Sequence, residues 1–379
     1  MTGSQSVRHL IKGLGPGGAE RLVLNQVRAE QGSVTHHVTY FVEEKSHLVS
    51  ELEAADAIVT PVFARGLGRV VGLRRLLRDP ATDIVHAHSP TIASLARLLV
   101  KTLPRSSRPV IVGTEHNRWP RHHRFTRLAN RLTIRLEAAT IAVSEDVAAT
   151  IRGARPGQVH TIVHGIDLDT VRAHAERGPA RDELGVNDDD VVVMCVANLR
   201  REKALDELVE AARQALSVSP RLRFVSVGQG PLAADLDRWI EDAGIGDRFV
   251  ALGYRTDVAR LLSAADIFTL SSHHEGLPVA LMEALALGLP VVATTAGGVP
   301  DAAGDAGLVS DVGDPAALAA GYVRLANDPA ERERLAAAAT RRADAFSIDR
   351  AVAEIAAVYE TATSAGRVSG AGSGPSKAS

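Results

Sequence analysis

Residues 267–293 read IFTLSSHHEGLPVALMEALALGLPVVA, and their punctuation sets the fold. Ile267 to Leu270 is a short apolar run of strand length, and a polar loop follows it. Pro278 suits a first helical position, while Gly288 and Pro290 stop what they follow, so a helix is expected from about Pro278 to Leu287. Pro290 to Ala293 then begins a second strand. A strand, a helix and a strand in 27 residues make a βαβ unit, which joins parallel strands.

The same rhythm extends in both directions. Apolar runs at Val191 to Val196, Leu222 to Val227, Phe249 to Leu252 and Gly307 to Val309 complete one set. An earlier set comprises Val7 to Ile11, Val34 to Val42, Ala57 to Phe63, Asp83 to His88, Pro109 to Thr114, Ala139 to Val143 and Val159 to Val163. The segments between them carry apolar residues at helical spacing. Two α/β doubly wound parallel sheets are expected, facing one another across a cleft at the carboxyl ends of their strands, where open sheets bind ligands. The expected domains are residues 1–170 and 171–345, with His174 to Asp190 as a polar linker. Ser347 to Tyr359 forms a further helix, with Ile348, Val352, Ile355 and Val358 in a stripe, that could pack back across the two domains. This helix is assigned residues 346–363, and the Gly/Ser-rich end, 364–379, is expected to be disordered.

Composition narrows the function classes. The chain has 379 residues, 45% hydrophobic, 23% charged and only 3% aromatic, so Ala, Val, Leu and Ile must fill the cores. Cys195 is the single cysteine, which excludes an internal disulfide and suits a reducing cytosol. No signal peptide and no membrane-spanning run is read. The net charge of -2 is a cancellation. Residues 1–165 hold 22 Lys+Arg against 13 Asp+Glu, net +9, and the remainder holds 21 against 32, net -11. The first half also has 11 of the 14 histidines. A basic half suggests an anionic partner. Nucleic acid is disfavoured by the scarcity of aromatic stacking platforms and the absence of a recognition motif.

Three constellations follow strands. Gly13-Leu14-Gly15-Pro16-Gly17-Gly18 precedes a helix and formally fits G-x-G-x-x-G, with Glu43 or Glu44 as an acidic ribose partner. Four glycines in six residues fit many patterns, however, and Pro16 offers no N–H, so a plain tight turn fits as well as an anion loop. Glu275 lies in the loop before the Pro278 helix and Glu283 within it, so two carboxylates flank the free amides of Gly276, Leu277, Val279 and Ala280. Such a helix start suits phosphate and the carboxylates suit hydroxyls, which together describe a sugar nucleotide. Glu275 as a mere dipole partner and Glu283 as a helix-surface residue fit the spacing equally well. Asn198-Leu199-Arg200-Arg201-Glu202-Lys203 places cations where a helix begins, which is unfavourable unless something anionic binds.

These residues resemble a known family. G-G-A-E-R, D-I-V-H-A-H, A-V-S-E, I-V-H-G-I-D, the lysine loop after Val196, V-G-Q-G-P-L and the E-x7-E block are similar to the retaining nucleotide-sugar glycosyltransferases of family 4, whose GT-B fold has two Rossmann-like domains. The resemblance runs to about Tyr359. It implies that Glu283 accepts ribose hydroxyls, that Glu275 and the following amides hold the sugar and its phosphate, and that Lys203 binds the diphosphate. Where the family commonly has an arginine, five residues before the lysine, this chain has Asn198, and Ala204 replaces a glycine. Arg200 is the substitute cation. Gly17 and Gly18 would lie near donor phosphate or acceptor, the backbone around Tyr254 would bracket the nucleobase, and His116 would contact the transferred sugar. A hexose would pass with retention to a glycan or lipid-linked acceptor in envelope or exopolysaccharide synthesis. The family mechanism needs neither a protein nucleophile nor a metal or other cofactor. An epimerase or phosphorylase on the same fold, or a non-catalytic partner subunit, is the alternative. His86 and His88 share a strand face but are too few to ligate a metal alone.

In 120–136, Arg124, Arg127, Arg131 and Arg135 form one stripe and Phe125, Leu128, Leu132 and Leu136 the next. The expectation is that the apolar stripe packs into the core. The alternative sets Trp119, Phe125 and the arginines on an anionic bilayer, peripheral to the inner face of the plasma membrane.

Overall fold

Each of the thirteen apolar runs becomes a strand, and each strand pairs only in parallel, because the chain between successive runs is long enough to cross over as a helix but never tightens into a hairpin. A computed structural model describes residues 5–15 and 17–371, with side chains up to 364. Those residues form two units, one of residues up to Gly165 together with those from Ile348 onward, the other Ile166–Ser347.

The first unit contains β1 (Gln5–Ile11), β2 (Val34–Tyr40), β3 (Ile58–Pro61), β4 (Ile84–Ala87), β5 (Val110–Glu115), β6 (Ala139–Ala142) and β7 (Val159–Thr161), in the order β3-β2-β1-β4-β5-β6-β7. The second contains β8 (Val191–Val196), β9 (Leu222–Val227), β10 (Phe249–Ala251), β11 (Ile267–Leu270), β12 (Val291–Thr294) and β13 (Gly307–Ser310), in the order β10-β9-β8-β11-β12-β13. In both, the strand order reverses once, between β1 and β4 and between β8 and β11. Loops leaving the carboxyl ends of those central pairs diverge to opposite faces and leave room for a ligand.

Five expectations need correction. The segment 174–190 is not a loop throughout: Arg177–Glu183 is helical. Arg177 and Arg181 there donate to the carbonyls of Ser263, Ala264 and Ala265 and pair with Asp266, which ties the segment to its own unit. Asp188 and Asp189 are exposed, but Asp190 is buried and accepts from Asn187, Arg223 and Arg248.

The last helix runs Ile348–Ala371, so 364–371 are helical, contrary to the disordered end expected there; 372–379 lie outside the described residues. It belongs to the first unit. Ile355, Val358, Tyr359 and Ala362 pack there with Val7, Ile84, Val112, Ile141 and Ile162. Val352, read as part of the buried stripe, is only half-buried, and Ala351 is fully buried in its stead.

The helix Arg124–Thr133 is turned the opposite way from expectation. Phe125, Leu128 and Leu132 are 64%, 53% and 71% exposed, and Trp119, the membrane candidate, is buried. The inward face is polar because a polar cluster waits for it. The buried Asn130 donates to Glu115 at 2.7 Å and accepts from Arg97 at 2.7 Å, while Arg97 also reaches Glu137 at 2.7 Å and Thr133 at 3.3 Å. Burial pushes the Glu137 carboxyl upward even against the pull of Arg97.

The helix after β11 is Val279–Ala286, one residue shorter at each end than expected, because Pro278 keeps an extended ψ and serves as its N-cap.

Removing one partner of a buried ion pair leaves the other uncompensated, at about 3–5 kcal/mol. Arg97→Met is therefore expected to lower the unfolding free energy by that amount in urea titration, and Glu137→Gln in the same chain to restore part of it. A cost for the single variant below about 1 kcal/mol, the range of exposed pairs, would contradict this reading.

Candidate functional site

In the second unit the loops leaving β8 and β11 meet at the reversal of strand order, and an ion pair joins them. Lys203 Nζ donates to Glu275 Oε1 at 2.6 Å and Oε2 at 2.7 Å, and Ser272 Oγ donates to Oε1 at 2.6 Å. Glu275 is buried and Lys203 largely so. The loops are fastened together at their backbones too. Ser271 Oγ donates to Lys203 O at 2.9 Å, and His273 N donates to Glu202 O at 2.9 Å. Cys195 lies in the strand that leads into the first loop, and burial pushes its thiol up to about 12, so it stays a neutral wall of the site.

Local backbone geometry holds Lys203 in place. Arg201–Lys203 is a single 3-10 turn, and Ala204 then takes φ 46° and ψ 53° before the helix Leu205–Val218. That left-handed conformation costs a residue with a Cβ about 1–2 kcal/mol. The position is one that glycine fits best, and Ala204 keeps its geometry without the glycine. Gly297 is also constrained: its φ is 55° and a Cβ there would stand 2.0 Å from Glu275 O. Gly230 similarly passes over Leu199, where a Cβ would meet its carbonyl oxygen at 2.3 Å. Backbone therefore crowds both loops from the β9 and β12 sides.

Gly276, Leu277 and Val279 lead from Glu275 into the helix Val279–Ala286, whose N-cap, Pro278, makes no side-chain capping bond. The first amides of this helix thus have no cap from the residue that usually supplies one, and they sit at its positive end. Gly276 O accepts from Gly298 N at 3.1 Å, which fixes the approach of the loop. Glu283 stands half-buried one turn further on. Arg200 is exposed on the β8 loop, and Asn198 is half-buried behind it, its carbonyl accepting from Arg200 N at 2.9 Å. Tyr254 is exposed after β10, where Gly253 O accepts from Gly228 N at 2.8 Å. All these residues follow the carboxyl ends of strands of one sheet, the adjacent β8 and β11 and, one strand beyond β9, β10. An ammonium, uncapped helix amides and two carboxylates in such a place can hold a phosphate together with hydroxyl groups.

In the first unit, Gly17 caps the helix Gly18–Ala29, and Gly18 is its exposed first residue. Pro16 lies outside the described residues. His116, just after β5, is half-exposed, and it ends a row of histidines that sequence reading missed. His36 Nδ1 meets His9 Nε2 at 3.0 Å, His9 Nδ1 meets His88 Nε2 at 3.0 Å, and His88 Nδ1 meets His116 Nε2 at 3.3 Å. His86 is separate: its nitrogens bond Tyr359 Oη and Thr114 Oγ1, both at 2.6 Å. Burial lowers the pKa of His9, His36, His86, His88, His116 and His164. His9, His86 and His88 bring ring nitrogens within 4.8 Å of one another. Their rings are stacked or tilted over one another, and both His86 nitrogens are engaged. Hydrogen bonds already link His9 to His88 and engage both nitrogens of His86.

Comparison with known proteins bears on the fold and the family. The family model for group 1 glycosyl transferases matches residues 176–342, and that for Glycosyltransferase Family 4 matches 16–170. D-inositol 3-phosphate glycosyltransferase 1 of Catenulispora acidiphila is 31% identical over 328 residues, 79% of this chain and 78% of that protein. Among solved structures, Anabaena Alr3699/HepE in complex with UDP superposes with a TM-score of 0.83 at 21% identity, covering 94% of this chain and all of the other. The same protein in complex with UDP-glucose gives 0.81 at 22% identity, covering 94% and 99%. Two parallel Rossmann-like sheets of seven and six strands, these family matches and the Catenulispora relative together place the chain among the family 4 glycosyltransferases of GT-B fold.

Proposed function

We propose that the protein transfers a hexose, with retention, from a nucleoside diphosphate sugar to a glycan or lipid-linked acceptor. The observation that carries this is the Lys203–Glu275 pair beside an uncapped helix start, at the point where the second sheet reverses its strand order. On donor binding, the diphosphate takes the ammonium of Lys203, which frees Glu275 to accept hydroxyl hydrogen bonds from the sugar. Amides of Gly276, Leu277 and Val279 complete the phosphate cradle, Arg200 supplies the second cation, Glu283 accepts from the ribose and the backbone at Tyr254 borders the base.

The bond from the anomeric carbon to phosphate oxygen breaks as the acceptor oxygen bonds the same face. The departing phosphate takes the acceptor proton, so the proposal includes no enzyme nucleophile and no metal. Charge developing on the leaving group is met by Lys203 and fixed amide dipoles, which is where preorganised donors accelerate most. For the first unit, the assignment of Gly17 and Gly18 to phosphate or acceptor and of His116 to the sugar rests on the family resemblance. The complexes of the Anabaena protein favour UDP as the first nucleotide to test, and the Catenulispora relative's name favours a phosphorylated polyol as the first acceptor. The basic first unit suits such an acceptor. Residues 348–379 add three charges of each sign and leave its excess at +9.

Lys203→Ala and Glu283→Ala are each expected to lower transfer at least about 100-fold with unchanged circular dichroism. Full activity in either would defeat the site assignment. Proton NMR of the product is expected to report the donor's anomeric configuration; inversion, or an epimer formed without acceptor, would overturn the mechanism.

Peripheral membrane binding belongs to the same proposal, because Phe125, Leu128 and Leu132 form an exposed apolar row beside the exposed Arg121, Arg124, Arg127 and Arg131. No described helix is long and apolar enough to cross a membrane. An apolar row edged by arginines lies in an interface, each arginine near an anionic surface contributing about 1 kcal/mol. Sedimentation with anionic vesicles is expected to exceed that with neutral ones and to fall when Phe125 and Leu128 are both replaced by Ser. Equal binding to both vesicles, no binding, or a dimer dispersed by the same substitutions would end the membrane reading.

A further inference from the structure

The imidazole row in the first unit has a carboxyl group at its buried end. Glu30, the C-cap of the helix Gly18–Ala29, is buried, and its Oε2 stands 3.4 Å from His36 Nε2. That nitrogen is itself buried and has no aligned hydrogen-bond partner. Glu30 Oε2 also accepts from Gln26 Nε2 at 2.9 Å. From Glu30 the row passes through β2, β1, the residue after β4 and the residue after β5, with Nε2 of each ring toward Glu30 and Nδ1 away from it. The strand order β2-β1-β4-β5 is what makes these side chains consecutive.

A neutral imidazole donates with one nitrogen and accepts with the other. Four of them in series can therefore be arranged in only two consistent ways. With Glu30 ionised, every ring carries its proton on Nε2 and points it toward the carboxylate, leaving His116 Nδ1 as an acceptor. With Glu30 protonated, every ring carries it on Nδ1, and His116 Nδ1 becomes a donor.

We propose that Glu30, His36, His9, His88 and His116 form a proton wire in which a proton taken up at His116 Nδ1 is stored on Glu30. The balance is direct. One proton enters at His116 Nδ1, the Nε2 proton of each ring crosses one hydrogen bond toward Glu30, and the carboxylate ends neutral. Release is the reverse, and no imidazolium forms at any stage.

The electrostatics agree with that route. Burial pushes the Glu30 carboxyl up to about 7, against a lowering pull from Gln26. Burial holds His36 at about 4, helped by His37, and keeps His9 and His88 well below the usual value. His116 is lowered by burial and by His164, which in turn faces Arg350. Burial, with a smaller contribution from Glu30, pushes the hydroxyl of Tyr359 on the last helix upward, and that hydroxyl also bonds His86. Near neutral pH, Glu30 is then the group of this network that changes charge. Resting on the proposed function, the consequence is that His116 accepts from a sugar hydroxyl when Glu30 is ionised and donates when it is not.

The test is long-range proton–nitrogen NMR of the full chain labelled with nitrogen-15 histidine, assigned by single-histidine replacements, between about pH 5.5 and 8.5. The expected result is that His36, His9, His88 and His116 exchange Nδ1–H for Nε2–H together as pH rises, with one midpoint near 7. Glu30→Gln should leave all four in a fixed tautomer across the range. His9→Gln should leave His36 responding to Glu30 while His88 and His116 stop. Fixed tautomers in the wild type, imidazolium formation, or an exchange that survives Glu30→Gln would overturn the wire. Transfer activity without a shared midpoint defeats this inference alone, and a shared midpoint without transfer defeats only the proposed function.

Discussion

The ion pair of Lys203 with Glu275 depends on a constraint set much earlier in the hierarchy. Parallel strands joined by helices send their loops to one edge of the sheet, and the order β10-β9-β8-β11-β12-β13 parts those loops between β8 and β11. The pair bridges that parting. Its geometry rests on the left-handed Ala204 on one side and on the glycine backbone at Gly297 pressed against Glu275 on the other. A lysine held to a buried carboxylate is already extended and partly stripped of water. An arriving phosphate then exchanges one anionic partner for another, and does not have to order a free side chain.

The two sheets treat their strand reversals in opposite ways. The second places full charges there, while the first surrounds β1 and β4 with imidazoles that burial keeps neutral. Neutrality is what allows so many histidines to pack against one another, since two imidazolium ions at these separations would repel strongly in a medium of low dielectric. The cost of burying polar rings is offset because almost every ring nitrogen in the row has a partner. Basic excess in this unit therefore comes from arginines such as those at Arg124, Arg127 and Arg131 on its surface, and not from its histidine-rich interior.

Strands were legible because runs such as Val191–Val196 and Ile267–Leu270 are apolar on both faces and bounded by turn residues. The donor constellation was legible because Glu275, Pro278, Glu283 and Gly288 lie close together in the chain and each has a local physical meaning. Other features depended on facts that no local pattern contains. Phe125, Leu128 and Leu132 form a sound apolar stripe, but the stripe does not say that Arg97, Glu115 and Glu137 would claim the inner face through Asn130. Arg177 and Arg181 looked like linker polarity until the carbonyls of Ser263, Ala264 and Ala265 received them. The histidine row is spread over more than a hundred residues, with Glu30 at a helix end, and only the strand order brings its members into line. His88 and His116 were its visible members, each noticed for another reason; His9 and His36 sit singly on neighbouring strands.

Whether a nucleoside diphosphate binds at the β8–β11 junction is tested most directly by a crystal structure of the chain with UDP or a UDP-sugar. The diphosphate is expected in contact with Lys203 and with the first amides of the helix Val279–Ala286, the ribose hydroxyls on Glu283, and Lys203 moved from Glu275 toward phosphate. A nucleotide bound elsewhere on the chain, with the Lys203–Glu275 pair undisturbed, would contradict it.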